Sequence, residues 1–185
     1  MQKKHQIAVK KITTLGVMSA LSIALAFFVH IPFPPAPFLE YDPADIPIFI
    51  VSFIFGPWWG IGITVAVSLL QGLTVSASSG IYGILMHVFA TSAFVIVSGL
   101  IYKRNKTFWG SVIALSLGCL SQALIMIPLN LIFTPLFMGS PVDAVLEMIL
   151  PIILPFNLMK AGINAVVTGL LFKHLEVVAK KFIMN

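Results

Sequence analysis

Lys160 stands in Pro155-Phe156-Asn157-Leu158-Met159-Lys160-Ala161-Gly162, ahead of an apolar run that reaches Phe172. Asn157 lies at i−3 and Asn164 at i+4, so on a helix the three polar side chains share one face. An ammonium and two amides on one face suit hydrogen bonding to a polar ligand in an interior cavity. The competing reading is a lysine that snorkels to an interface, within about three turns of its helix end. A lysine at membrane depth costs roughly 2.5–3.5 kcal/mol on insertion scales, so it faces a polar interior or reaches for a boundary. Asn130, in Met126-Ile127-Pro128-Leu129-Asn130, falls at a similar predicted depth. Its competing role is an interhelical hydrogen bond, worth about 0.6 kcal/mol on average. Gln122, Gln71 and Ser76–Ser79 read as helix-to-helix or helix-end polar groups, and His30 as interfacial. His87 reads as a packing histidine with no carboxylate near it in sequence.

Other chemistries lack their motifs. Cys119 is the only cysteine, so there is no disulfide framework and no zinc spacing. There is no phosphate loop of the Gly-x-x-x-x-Gly-Lys type, no Gly-x-Ser-x-Gly elbow and no His-Glu-x-x-His pair. Catalytic residues, a metal and a cofactor are therefore not expected. An intramembrane hydrolase using Ser78 or Ser79 with His87 is the distant alternative, without a visible orienting carboxylate or oxyanion motif.

The elements that must hold these groups are set by charge. Residues 46–102 contain no Asp, Glu, Lys or Arg, a run of 57 residues in a chain with 9% charged and 59% hydrophobic residues. About 20 apolar residues already cross a bilayer core, so the chain is expected to be an integral membrane protein. The net charge of +5 is not a nucleic-acid footprint, because the basic residues sit at the termini and in one short loop. Lys3, Lys4, Lys10 and Lys11 begin the chain; Lys103, Arg104 and Lys106 form a middle group; Lys173, Lys180 and Lys181 end it. The positive-inside rule places these in the cytoplasm and leaves Glu40, Asp42, Asp45, Asp143 and Glu147 outside. Residues 46–102 then cross an odd number of times, and three crossings fit their length. Turn signals at Gly56-Pro57 and Ser76–Gly80 divide the run.

The expected fold is all-α, a single transmembrane domain over 1–185 with six transmembrane helices and both termini cytoplasmic. Its spans are about 12–30, 45–56, 57–75, 79–102, 107–134 and 151–172. Strands are not expected, since the runs are continuous rather than alternating. The basic start followed by apolar 12–31 reads as a retained first span rather than a cleaved leader, because it runs into prolines without a small-residue site.

The connection at 31–45 is stiff. Pro32, Pro34, Pro35 and Pro37 fix φ and remove donors. Asp42-Pro43-Ala44-Asp45 can cap the next helix. The segment reads either as a rigid outer connection with interfacial aromatics or as a lid over an outward-facing pocket. In the first span, Ala20, Ser22 and Ala24 form a stripe of small residues that would let another helix approach, within the bundle or from outside it.

These features together resemble the substrate-binding S components of energy-coupling factor (ECF) vitamin transporters, in their riboflavin-specific branch. The resemblance covers nearly the whole chain. Its most specific parts are Asp42-Pro43-Ala44-Asp45-Ile46-Pro47 and Leu154-Pro155-Phe156-Asn157-Leu158-Met159-Lys160. It implies a six-helix bundle with the vitamin near the outer face, under the loop joining the first two helices. It implies substrate contacts from Asn130, Asn157 and Lys160, with Asn164 beside them, and from loop residues Leu39, Glu40, Tyr41 and Asp42. Ala20 and Ala24 match the surface for a transmembrane coupling subunit, and two cytoplasmic ATPase subunits are the further partners implied. Where the family loop often carries Lys-Ile/Val-Asp, this chain has Glu40-Tyr41-Asp42, which favours riboflavin over its phosphate FMN. The implied role is a non-enzymatic, high-affinity riboflavin subunit in a bacterial plasma membrane, with riboflavin as cargo. A pyridoxine-like or thiamin-precursor-like vitamin, or FMN itself, is the alternative.

Overall fold

The computed structural model describes the backbone of residues 2–182 and the side chains of residues 5–175. Lys3, Lys4, Lys180 and Lys181, which enter the charge pattern, lie outside the described side chains. The elements are α1 (Gln2–Phe28), β1 (Ile31–Phe33), β2 (Ala36–Tyr41), α2 (Asp45–Phe55), α3 (Pro57–Leu73), α4 (Gly80–Arg104), α5 (Phe108–Met138), α6 (Val142–Met148) and α7 (Leu154–Phe182). A 3-10 turn at Ala77–Ser79 leads into α4, and a π turn at Ile149–Ile153 joins α6 to α7.

The chain is mostly helical, as its apolar runs require. By length and composition four stretches can cross a membrane: His5–Phe28, Ala77–Arg104, Phe108–Met138 and Val142–Leu175. The helices at Asp45–Phe55 and Pro57–Leu73 are apolar but shorter. Their division falls at Gly56, whose φ of +98° suits glycine, and Pro57 then starts α3, where a missing N–H costs nothing.

The 31–45 segment is not strand-free: β1 and β2 form an antiparallel hairpin with Ile31 opposite Tyr41 and Pro32 opposite Glu40. The prolines bar a helix and hold the backbone extended, so the segment pairs with itself, its register shifting between Pro32 and Phe33. Ala36 and Leu39 are buried against Val145, Ile149, Ile153 and Phe156, and the Phe33 ring lies 5.1 Å from that of Phe156. The hairpin is thus pinned onto the segment that leads into α7.

Helix ends also differ from the expected spans. α5 runs past 134 to Met138 despite Pro128 and Pro135, and ends at Gly139 with φ +63°. The stretch expected as 151–172 begins in the π turn. Pro151 and Pro155, four apart, each withhold a donor, and a wider turn absorbs the mismatch. Neither Asp42 nor Asp45 caps α2 as expected: Ala44 is the N-cap, without a side-chain bond to it. Asp42 Oδ1 instead accepts the Ala44 N–H at 3.0 Å within the turn, and Asp45 points into the bundle.

α2 is the axis of the bundle. Every residue from Asp45 to Phe53 is buried, as befits a helix apolar on all sides. Phe49 stacks on Phe94 of α4 with centroids 3.6 Å apart, and Phe53 on Tyr102 at 4.4 Å, with Phe172 of α7 edge-on to both. Small residues permit the approach, as packing between membrane helices demands. A Cβ on Gly99 would meet Ser52 Oγ at 2.6 Å, and one on Gly118 would meet Ser98 Cβ at 3.0 Å.

Candidate ligand-binding site

Beneath the hairpin, α3, α4, α5 and α7 enclose an open-mouthed cleft with about 990 Å³ of atom-free space, mouth included. Leu39, Glu40 and Asp42 line it from the hairpin end, Asn130 from α5, and Asn157 and Lys160 from α7. Tyr41 and Asn164 stand behind the wall: the Tyr41 hydroxyl donates to Asn164 Oδ1 at 3.2 Å, and Asn164 Nδ2 donates to the Asp42 carbonyl at 3.2 Å. Burial, with Asp42 alongside, pushes the Tyr41 hydroxyl above its ordinary pKa and keeps it a donor.

The predicted face of α7 forms as its spacing requires. Asn157 and Asn164 are buried, and Lys160 is largely so. Lys160 Nζ donates to Asp42 Oδ2 at 2.7 Å and to the Glu40 carbonyl at 3.0 Å. Its charge ties the loop to α7. The amides of Asn130 and Asn157 are each held by their own helix, donating to the Met126 and Ile153 carbonyls at 2.8 Å. Thr134 Oγ1 donates to Asn130 Oδ1 at 2.9 Å. One N–H of each amide is engaged within the protein.

The cleft also holds groups that the sequence reading did not assign to it. Ser68, Gln71, Tyr82, His87, Gln122 and Thr134 all line the cleft. His87 has a carboxylate partner after all: its Nε2 lies 3.0 Å from Asp45 Oδ1, in a residue 42 positions earlier. Asp45 is fully buried and also accepts from Thr91 Oγ1 at 2.9 Å, with Gln122 Nε2 at 3.5 Å from its second oxygen. His87 Nδ1 meets Ser68 Oγ at 2.7 Å. The serine beside His87 is therefore Ser68 rather than Ser78 or Ser79. Ser68 lies inside α3, where the neighbouring backbone N–H groups serve the helix rather than an oxyanion. Among the described residues no group of three His, Cys, Asp or Glu is placed to hold a metal. His30, expected at an interface, pairs with Glu40 at 3.0 Å.

Outside the cleft, Ala20 is exposed and Ala24 half-buried, in an apolar groove with Ile23, Phe27, Leu70 and Val75. Ser22 does not belong to this stripe. Two residues turn a helix by about 200°, and Ser22 is buried facing the bundle.

Long apolar helices around a cleft that gathers several polar side chains make an integral membrane protein. The particular family follows from its sequence: a family model for the ECF transporter, substrate-specific component, matches residues 10–172, and the chain belongs to that family, a class of transport components. It is 27% identical to the riboflavin transporter FmnP of Bacillus subtilis over 177 residues, 91% of this chain and 93% of that protein. It is 26% identical to the riboflavin transporter RibU of Streptococcus thermophilus over 180 residues, covering 93% and 85%, and to that of Staphylococcus aureus over 173 residues, covering 90% of each. The solved structure of the S component of a bacterial ECF transporter superposes with a TM-score of 0.80 at 26% identity, covering 94% of this chain and 99% of that one. The S component for biotin from an ECF-type ABC transporter superposes at 0.64 with 20% identity, covering 90% and 92%, a likeness of fold alone.

Proposed function

We propose that this chain captures riboflavin from outside the cell in the cleft under the 31–45 hairpin, as the binding subunit of an ATP-driven uptake system. The observation that carries the reading is the convergence of Asn130, Asn157 and Lys160 on one cleft, in a chain similar over nearly its whole length to riboflavin transporters. The charges support a neutral cargo. Lys160 is balanced by Asp42, His87 faces Asp45, and Glu40 pairs with His30. A phosphorylated flavin would meet those carboxylates. Riboflavin is the transported ligand, not a cofactor of a reaction.

Six crossings with both termini in the cytoplasm of a bacterial plasma membrane complete the proposal. α1 to α5 and the α6–α7 stretch supply them, α2 being short because protein rather than lipid surrounds it. The Ala20/Ala24 groove docks a transmembrane coupling subunit, and two cytoplasmic ATPases drive uptake.

Purified protein is expected to show the visible absorption of a bound flavin and to quench riboflavin fluorescence at one-to-one stoichiometry. Colourless protein that leaves flavin fluorescence unchanged would overturn the reading. For topology, a cysteine replacing Glu40 or Asp143 is expected to react with an impermeant maleimide from outside intact cells. Labelling of a cysteine replacing Asn105 would break the crossing count.

A further inference from the structure

We infer that Gln71 of α3 and Gln122 of α5 accept hydrogen bonds from the hydroxylated side chain of the ligand, and so select a polyol-bearing flavin over its bare ring. The assignment rests on the riboflavin reading above. Both glutamines line the cleft and are almost fully buried, with relative exposures of 7% and 5%. The Oε1 atom of each has no hydrogen-bond partner in the protein. Buried acceptors are seldom left unpaired, and two in one cleft mark where donors of a ligand belong.

The orientation of Gln122 is fixed by chemistry. Its Nε2 lies toward Asp45 Oδ2 at 3.5 Å. An ionised carboxylate only accepts, so the amide must turn its N–H₂ to Asp45 and its oxygen away. Asp45 is itself held by His87 and Thr91. Lys160, Asn130 and Asn157, which carry N–H donors, and Gln71 and Gln122, whose oxygens lack a protein partner, thus line the same cleft. Riboflavin has the matching halves: ring carbonyls that accept, and a ribityl chain whose hydroxyls donate.

The test compares riboflavin with lumiflavin, which keeps the ring and replaces the ribityl chain by a methyl group. Both are titrated by fluorescence quenching against the full chain and its Gln71→Leu and Gln122→Leu variants. Each variant is expected to lose about ten-fold in affinity for riboflavin, the scale of one good hydrogen bond, and to hold lumiflavin within about two-fold. Equal losses for both ligands, or no loss for either, would overturn the assignment. Gln122→Leu also strips a neighbour from Asp45, so Gln71→Leu decides the matter if the other variant does not fold. If the unaltered chain binds neither flavin, the riboflavin reading fails and this inference falls with it; if it binds both and the variants do not discriminate, only the inference fails.

Discussion

Asp42 and Asp45 are three positions apart, yet they anchor different parts of the molecule. Asp42 closes the hairpin and holds Lys160 at 2.7 Å, next to the Glu40 carbonyl that the same lysine also binds. Both hydrogen bonds of Lys160 go to the loop, so this pair is a strap. Asp45 opens α2 and meets His87 and Thr91 of α4 and Gln122 of α5. It is a post between helices. Breaking a strap frees a segment, whereas breaking a post leaves several buried polar groups without partners.

The largest effect is expected from the post. Asp45→Ala strands His87 and Thr91 in the interior and should cost about 3–5 kcal/mol, the range for removing one partner of a buried ion pair. Thermal unfolding in detergent should show it as a large drop in midpoint. A midpoint near that of the unaltered protein would erase the distinction between post and strap.

The strap should act on binding. Lys160→Ala is expected to weaken riboflavin binding by roughly 1.5–3 kcal/mol, the range for a hydrogen bond from a charged group, with a smaller stability loss than Asp45→Ala. The double variant Asp42→Asn with Lys160→Met removes both charges and should recover stability without recovering affinity. An unchanged dissociation constant for Lys160→Ala would reduce Lys160 to a tie between loop and helix.

A weaker thread of the strap is Tyr41. Its hydroxyl reaches Asn164 behind the cleft wall, and Tyr41→Phe should cost about 0.5–1.5 kcal/mol, visible as faster riboflavin release in stopped-flow fluorescence. An effect as large as that of Lys160→Ala would move Tyr41 from support into the site.

The smallest effect on affinity is expected at the Ala20/Ala24 groove, which shares no lining residue with the cleft. Ala20→Trp and Ala24→Trp should leave riboflavin affinity within about two-fold while abolishing co-purification with the coupling subunit and cellular uptake, because added bulk prevents close helix approach. Normal uptake in both variants would remove this groove as the docking face.

Local spacing made part of the site legible. Asn157, Lys160 and Asn164 share a face because i, i+3 and i+4 positions do, and the same rule places Ser22 away from Ala20 and Ala24. The division at Gly56-Pro57 was readable because glycine and proline punctuate a chain for backbone reasons. The Asp45–His87 pair was not, since 42 residues of apolar sequence separate its members and only packing joins them. The hairpin was hidden for another reason: its prolines announce what the segment cannot be, while the strand partner lies within the same short segment. Gln71 and Gln122 looked like ordinary polar punctuation because their importance lies in bonds the protein leaves unmade.

The shortness of α2 bears on how the chain is made. Eleven residues rise about 16 Å, roughly half of a bilayer's hydrocarbon thickness. Such a segment is a poor substrate for a translocon acting on it alone, which implies that α2 and α3 partition together as a helical hairpin bent at Gly56. At that moment Asp45 has already been synthesised, while His87, Thr91 and Gln122 have yet to leave the ribosome. Its carboxylate must wait at the watery margin until α4 and α5 arrive, so the final seating of α2 is a late step in biogenesis.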